Sequence, residues 1–542
     1  MKLTSVVLYL CLIALFCVVP VMAHQEGGPS EKLGQVHFPV SCSDAAQQQF
    51  DRAVALLHSF WYEEAVKAFT QVTQTDPRCA MGSWGMAMSL WYPLWYPPSP
   101  AALQQGAAAV EQAKATGAPT AREQAYIAAI EAFYKDADKL DHRTRAVAYE
   151  KAMEQLHLRY PDDREATVFY ALALDTTAVP TDKTYANQLK AAELLEQVFA
   201  EEPNHPGVAH YLIHSYDYPP LAGRALTAAR SYAKIAPSAP HALHMPSHIF
   251  TRLGLWQESI QSNAASAAAS KEYASKVGAA GAWPEQLHSM DYLTYAYLQG
   301  AQDRDAKRVV DELLEIQKAE PESLPAAYAF AAIPARYALE RRRWADAATL
   351  TLHPGSFPWS RFRWGEAITV FSRALGAARS GDVAKAGKEV DTLQSLHSAL
   401  VEAKQSYWAD QVEIQRRAAA AWVAHAEGKH DEALALMRSA ADLESSTEKH
   451  PVTPGPIVPA RELLGELLLD LNQPAQALAE LEASLRTDPN RLNGLYGAAR
   501  AAELSGDHGK ARTYYASLVA LCEQADSERP ELLTAKAFLA KQ

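Results

Sequence analysis

The residues of this chain that could do chemistry are histidines gathered in one stretch of the sequence. Seven of the 18 histidines fall between positions 205 and 288. They are His205, His210, His214, His241, His244, His248 and His288. Two intervals, His210 to His214 and His244 to His248, place both members of a pair on one face of a helix. Imidazole nitrogens suit zinc, copper, iron and nickel better than magnesium or calcium, so the stretch indicates a transition-metal site.

The two pairs provide the most economical ligand set for such a site, because histidines on neighbouring helices can meet around one ion. That set is His210, His214, His244 and His248. We expect three further residues either to coordinate a second ion or to hydrogen-bond to the ligands and orient them. They are His241, His288 and Asp291. Two other interpretations stay open, a histidine-lined groove for a peptide or an anion, and packing of the rings without a ligand. The sequence does not choose among copper, iron and zinc.

Other residues near the cluster could contact a substrate or a groove ligand. Arg252 could bind a carboxylate or a phosphate of a ligand. Tyr211 and Tyr292 could take part in redox chemistry beside a metal. The HExxH motif of metalloproteases is absent, because Tyr211 and Met245 follow the first histidine of each pair. The chain has no Walker loop, GxGxxG fingerprint, GxSxG elbow or CxxC motif. We therefore expect no nucleotide cofactor.

The elements that must position the histidines are helices in a repeated pattern. Residues 50–77 have two apolar-periodic runs, a break near residue 60 and a closing Asp-Pro. Units with this layout start at 46 and 80, at 206 and 240, and at 458 and 492, and the interval is 34 residues each time. This is the period of the tetratricopeptide repeat. The pattern predicts an all-α fold, a right-handed superhelix of helical hairpins.

The repeat register also predicts where the histidines point. The first helices of stacked units line a concave inner face. The histidines at 210 and 214, at 241, 244 and 248, and at 288 take equivalent positions on the first helices of three successive units. Six histidines and Asp291 are therefore predicted to line one groove.

Two proline-rich segments interrupt the array. A stretch of prolines and aromatics at 91–100 cannot be helical throughout, and it could cover part of the groove. Residues 448–459 form an ordered turn or a hinge. The predicted organisation is a signal peptide (1–23), an irregular lead (24–44), N-terminal repeats (45–200), central histidine-rich repeats (201–300), further repeats (301–447), a proline-rich connection (448–459) and a C-terminal pair of repeats (460–542).

The start of the chain and its cysteines indicate export. Residues 1–23 combine Lys2, an apolar run and small residues before a cut after Ala23, as a secretory signal does. We expect a periplasmic or secreted protein without an integral membrane segment after cleavage. Cys42 and Cys79 flank one predicted hairpin, whose antiparallel helices bring them together, so a disulfide is plausible. The net charge of −12 and the lack of a basic stripe with aromatics argue against nucleic acid as a partner.

Several stretches resemble a group of exported bacterial tetratricopeptide-repeat proteins. They are HFPVSC (37–42), LLHSFWYEEAVKAF (56–69), NHPGVAHYLIHSYD (204–217), HALHMPSHIFTRLGLW (241–256) and KHPVTPGPIVPARELLGE (449–466). The resemblance implies the fold, whereas the fold does not specify an activity. Three hypotheses follow: a scaffold whose groove binds a transition metal, a copper, iron or zinc enzyme for a small molecule or peptide, and a metal-free scaffold for a peptide or protein.

Overall fold

The fold is built from α-helices, as the sequence pattern predicts. The computed structural model describes residues 31–541 and, within that range, contains 26 α-helices, two 3-10 helices and no strand. The predicted signal peptide, 1–23, lies outside the described residues. None of the helices described between 31 and 541 is long and apolar enough to cross a membrane.

The helices fall into three groups along the chain. Eight precede the histidine stretch: α1 (Asp44–His58), α2 (Tyr62–Thr75), α3 (Ala80–Ser89), α4 (Pro100–Thr116), α5 (Ala121–Tyr134), α6 (His142–Arg159), α7 (Arg164–Thr177) and α8 (Ala186–Glu201). Six form the central part: α9 (Pro206–Tyr216), α10 (Leu226–Ile235), α11 (Pro240–His244), α12 (Pro246–Arg252), α13 (Trp256–Lys276) and α14 (Pro284–Gln299). Twelve follow: α15 (Asp303–Glu315), α16 (Leu324–Leu339), α17 (Trp344–Ala347), α18 (Arg363–Arg379), α19 (Val383–Glu402), α20 (Ser406–Ala426), α21 (His430–Ser445), α22 (Ala460–Asp470), α23 (Pro474–Thr487), α24 (Leu492–Leu504), α25 (His508–Leu521) and α26 (Pro530–Ala540). The 3-10 helices are Ala222–Ala225 and Trp359–Arg361.

Each helix packs against the helices before and after it in the chain, as stacked helical hairpins do. The predicted small positions serve this packing, because Ala53 and Ala65 are fully buried where α1 and α2 approach. Phe69 fills the space beyond them, and a Cβ at Gly85 would lie 2.2 Å from its ring. The prediction of an all-α array of tetratricopeptide-type hairpins is confirmed.

A proline interrupts the helical segment that carries His244 and His248. The helix α11 ends at His244 and α12 begins at Pro246, which cannot donate a backbone hydrogen bond. Met245 between them keeps helical dihedral angles, φ −52° and ψ −36°. The two short helices therefore continue in nearly one direction, and both histidines still point the same way.

The inner face of the array is closed over the histidines. The helix α1 packs against α9, and in the segment 91–100 the ring centroid of Trp95 lies 5.2 Å from that of His241. The segment 448–459 folds back onto the central helices, where Lys449 Nζ lies 2.6 Å from Asp217 Oδ2. Arg336 holds the same segment by donating to Gly455 O at 2.8 Å. The segment 91–100 was expected to cover part of the groove, and the segment 448–459, which was expected to form an ordered turn or a hinge, covers the same face.

The start of the array is tied by a covalent link. Cys42 and Cys79 form a disulfide, which joins the residues before α1 to the residue that precedes α3. Cys522, at the end of α25, is a buried free thiol. The N-terminal hairpin is thus closed at its base, whereas α1 reaches the histidine-bearing α9 at its other end, through His58.

Candidate metal centre

The structure gathers the six predicted histidines into two groups of three. His210, His214 and His241 form the first group, from α9 and the start of α11. His244, His248 and His288 form the second, from α11, α12 and α14. Within each group one ring nitrogen of every histidine lies within 4.8 Å of the others. All six side chains are buried, and the most exposed, His214, is 7% accessible.

In the first group, the Nε2 atoms of His210 and His214 face each other, and other groups hold the Nδ1 atoms of His210 and His241. His210 donates from Nδ1 to the carbonyl oxygen of His58 at 2.6 Å. His241 Nδ1 lies 3.2 Å from both carboxylate oxygens of Glu285, so it carries the proton. The Nε2 of His210 is 3.1 Å from that of His214, and the buried Nε2 of His241 has no hydrogen-bond partner within residues 31–541.

The second group repeats this arrangement with side-chain acceptors. His244 donates from Nδ1 to Asn263 Oδ1 at 2.6 Å, and His248 donates from Nδ1 to Asp217 Oδ2 at 2.9 Å. The amide of Asn263 is oriented by its own Nδ2, which donates to Ser259 O. The Nε2 atoms of His244 and His248 lie 3.0 Å apart. The His288 ring completes the group, with its centroid 4.2 Å from that of His244.

These hydrogen bonds assign the tautomers. Because the Nδ1 atoms of His244 and His248 must carry protons, both neutral rings have an unprotonated Nε2, and two lone pairs face each other at 3.0 Å. A second proton would resolve this, but burial lowers the pKa of His248 to about 4 and that of His244 well below its usual range. A cation between the nitrogens resolves it without a proton. Two nitrogens about 2 Å from one tetrahedral ion are about 3.3 Å apart, close to the observed separations.

The two groups are in contact with each other. The ring centroids of His214 and His248 are 5.9 Å apart, and those of His241 and His244 are 5.8 Å apart. Ions held by the two groups would therefore be immediate neighbours.

The grouping differs from the expected four-histidine set. Each helical pair joins a third histidine, His241 or His288, instead of the other pair. The reason is the order of the helices, since α11 begins with His241 facing α9 and ends with His244 facing α14. Asp291 joins neither group, because its carboxylate forms a buried ion pair with Arg336 at 3.3 Å.

The three residues predicted to contact a substrate or groove ligand have partners within the protein. Arg252 donates to Asp217 Oδ1 at 2.9 Å, which makes it an ion-pair partner of a carboxylate that holds His248. Tyr292 lies inside the site, with its hydroxyl 3.4 Å from both ring nitrogens of His248. Tyr211 lies one layer out and its hydroxyl contacts His58 Nδ1 at 3.0 Å.

Sequence reasoning missed the acceptors behind the ligands and a third histidine group. The acceptors Asp217, Asn263 and Glu285 come from three different elements. Asp217 follows His214 by three residues and Glu285 precedes His288 by three, but they hold His248 and His241, which lie 31 and 44 positions away. The third group, His58, Glu165 and His205, is buried beside the first.

The third group needs no metal. The Nε2 atoms of His58 and His205 donate to the two carboxylate oxygens of Glu165, at 2.9 and 3.0 Å. The Nδ1 of His205 accepts from the backbone N–H of Val208, and the Nδ1 of His58 accepts from Tyr211. The neighbouring histidines lower the pKa of Glu165 despite its burial, so the carboxylate is charged and every ring nitrogen has a suitable partner.

A cavity of about 300 Å³ reaches the first histidine group at His214. Its wall includes Tyr218 after α9, Tyr407 and Trp408 of α20, and His450 of the closing segment. A second cavity of about 310 Å³ shares Tyr407 and Trp408 with it. Small molecules in the first cavity would contact a ligand of the first group.

No family model and no curated protein matches the chain. Solved structures with a loose likeness include yeast Tom70, at 11% identity over 92% of this chain and 96% of that one, with a TM-score of 0.33. A human IFIT1 dimer with m7Gppp-AAAA is 12% identical over 83% and 90%, with a TM-score of 0.33. The APC/C hetero-tetramer Cut9-Hcn1 is 11% identical over 92% and 96%, with a TM-score of 0.27. The helical array of this chain is seen directly in its own helices, and its function is argued below from its own residues.

Proposed function

We propose that this protein binds two transition-metal ions side by side, one in each three-histidine group. The observation that carries the proposal is the pair of unprotonated Nε2 atoms, of His244 and His248, that face each other at 3.0 Å in a buried site. Hydrogen bonds to the Nδ1 atoms orient metal-binding histidines in this way, and they raise the basicity of the ring. The third group is a useful contrast, because its nitrogens are satisfied by Glu165 and need no ion.

A metal-free scaffold for a peptide or protein is the alternative. The closed inner face counts against it, because Phe60 and Trp95 already cover His241, with ring centroids 5.7 and 5.2 Å away. A peptide would have to displace these rings and the segment 448–459. Tight uptake of a metal requires no such opening, since the cavity at His214 leads to the first group.

The test is the number of ions that the untagged protein binds. Metal is removed with a chelator, zinc or copper is titrated back, and bound metal is measured by elemental mass spectrometry. We expect two ions in the wild type, one in His244→Ala, one in His210→Ala and none in the double variant. Uptake of two ions by both single variants, or no uptake by the wild type, would overturn the proposal.

The matched control is His205→Asn, in the third group. Asparagine keeps a side chain that caps the start of α9, where His205 now accepts from Val208 N–H. This variant is expected to retain both ions. Loss of an ion in it, with circular dichroism unchanged, would show that the third group is a metal site and that the assignment of ions is incorrect.

We propose further that the protein works in an oxidising compartment to which residues 1–23 direct it. The disulfide between Cys42 and Cys79 supports this, because cytosolic thiols are kept reduced. N-terminal sequencing of protein recovered from the periplasm or medium should begin at His24. Recovery only from the cytosol, with an intact Met1, would refute it.

A further inference from the structure

We propose that the two ions are copper and that together they reduce dioxygen, with a small diphenol in the cavity beside His214 as the electron donor. This inference rests on the proposed metal pair and adds the identity of the metal, the oxidant and the substrate class. Three features of the site support it: the charge of the ligand set, the number of ligands per ion, and the chemistry of the cavity wall.

The charge of the site favours a monovalent ion. All six ligands are neutral imidazoles, and no carboxylate belongs to either group. The carboxylate of Asp217 is offset by Arg252 and Lys449, whose nitrogens lie 2.9 and 2.6 Å from its oxygens. The carboxylate of Glu285, behind His241, adds one negative charge beside the ligands. Two buried dications would place four positive charges here, at a high cost in desolvation, whereas two copper(I) ions place two. Zinc has no monovalent state, and non-haem iron(II) sites usually include a carboxylate ligand.

The ligand number leaves room for an exogenous molecule. Three histidines per ion leave a coordination position open, as in catalytic metal sites. The two groups touch, with ring centroids of His214 and His248 at 5.9 Å. A diatomic molecule can therefore contact both ions at once, and each copper(I) can supply one electron to it.

The cavity defines the second substrate. At about 300 Å³ it lies at the small end of ligand sites, which span roughly 300–1,000 Å³. Its wall is aromatic at Tyr218, Tyr407 and Trp408, which suits a flat ring. His214, the most exposed of the six histidines, is the only one that lines it. A ring in this cavity would lie beside the first ion.

One polar group on the wall lacks a partner. Asp175 is 8% accessible and lines the cavity. Its Oδ2 accepts from the hydroxyl of Ser215 at 2.7 Å, and its Oδ1 has no hydrogen-bond partner among the described residues. A buried acceptor without a donor is unfavourable, and a hydroxyl on the substrate would supply the donor. This favours a phenol over an unsubstituted ring.

The electrons balance for a diphenol. Each diphenol loses two electrons and two protons and becomes a quinone. Dioxygen takes four electrons and four protons and becomes two molecules of water. Two diphenols are therefore consumed for each dioxygen, and the copper ions return to their reduced state without another reductant.

The experiment uses the full chain loaded with two equivalents of copper(I) without oxygen, and 4-methylcatechol as the probe. Air-saturated buffer is then added, and an oxygen electrode and the quinone absorbance are followed. We expect steady oxygen consumption with two quinones formed per dioxygen. His244→Ala, which should keep one ion, is expected to lose this activity. Wild-type protein that holds two copper ions but consumes no oxygen would overturn this inference and leave the metal pair intact.

The role of the cavity is tested separately with Asp175→Ala, which removes the carboxylate oxygens and should keep both ions. Loss of one substrate hydrogen bond should raise KM about ten-fold, with kcat much less affected. The control is Asp410→Ala, on the exposed side of α20, which should match the wild type. An unchanged KM in Asp175→Ala, or retained activity in His244→Ala, would show that the chemistry does not occur in this site.

Discussion

Replacement of Asp217 by asparagine should weaken the second metal group while the first stays intact. Asp217 is the acceptor for three donors at once. Its Oδ2 accepts from His248 at 2.9 Å and from Lys449 at 2.6 Å, and its Oδ1 accepts from Arg252 at 2.9 Å. In either orientation of the asparagine amide, an N–H₂ group faces at least one of these donors, and the negative charge is lost.

The magnitude follows from the burial of the partners. Lys449 and Arg252 have side chains that are 6% and 8% accessible, so each becomes a buried cation without its main counter-charge. Removal of one partner from a buried ion pair costs about 3–5 kcal/mol in free energy of unfolding, and loss of the acceptor behind a metal-binding histidine lowers metal affinity about 10–100-fold. We expect both effects in Asp217→Asn, with the loss of affinity confined to the group that contains His248.

The assay is competition for metal with a chelator, with the affinity of each group resolved in variants that lack the other. Asp175→Asn is the matched control, because this nearby carboxylate is also buried and accepts from Ser215, not from a histidine. If Asp217→Asn folds and its second group keeps an affinity within about two-fold of the wild type, the tautomer reasoning is refuted.

Three further predictions concern stability. Burial raises the pKa of Asp291 to about 6, so folding favours the neutral carboxyl over the charged one. The free energy of unfolding that this preference adds is fully present below pH 3.8 and is lost as the pH rises through about 6. Relative to Asp291→Asn, the metal-free wild type should lose about 3 kcal/mol over that interval by denaturant unfolding, and a pH-independent difference would contradict this. The double replacement of Cys42 and Cys79 by serine should cost about 4 kcal/mol, because the disulfide closes a loop with a sequence separation of 37; an unchanged thermal midpoint would argue against it. Arg491→Met should cost about 3–5 kcal/mol, since the buried guanidinium binds Glu462 at 2.8 Å, and a second change, Glu462→Met, should recover part of the loss.

Much of the fold could be predicted from the sequence because its determinants are local. The apolar period of each helix and the small residues at fixed offsets depend only on neighbours within a 34-residue unit. The observed helices begin at Ala80, Pro206, Pro240 and Leu492, the positions at which the repeat register started its units. The two proline-rich interruptions were also visible, since proline restricts the backbone wherever it occurs.

The convergence of the six histidines could also be predicted from the sequence. The four-residue spacing fixes the direction of each pair, and equivalent positions in stacked units face the same interior. His241 and His288 were recognised as partners for the same reason. The sequence by itself thus determined that these six histidines meet, because helix period and repeat register can both be counted along the chain. Asp291, which the same register placed with them, pairs with Arg336 instead.

Only the tertiary structure decided how these residues divide and what surrounds them. The division into three and three depends on how α11 turns between α9 and α14, an angle that no local spacing encodes. Asn263 and Glu285 hold His244 and His241 from separate helices, and Lys449 reaches Asp217 across 232 positions of the chain. Such contacts arise from the packing of distant segments against one another. Neither the tautomers of the ligands nor the closure of the site by residues 448–459 could therefore be predicted before the chain was folded.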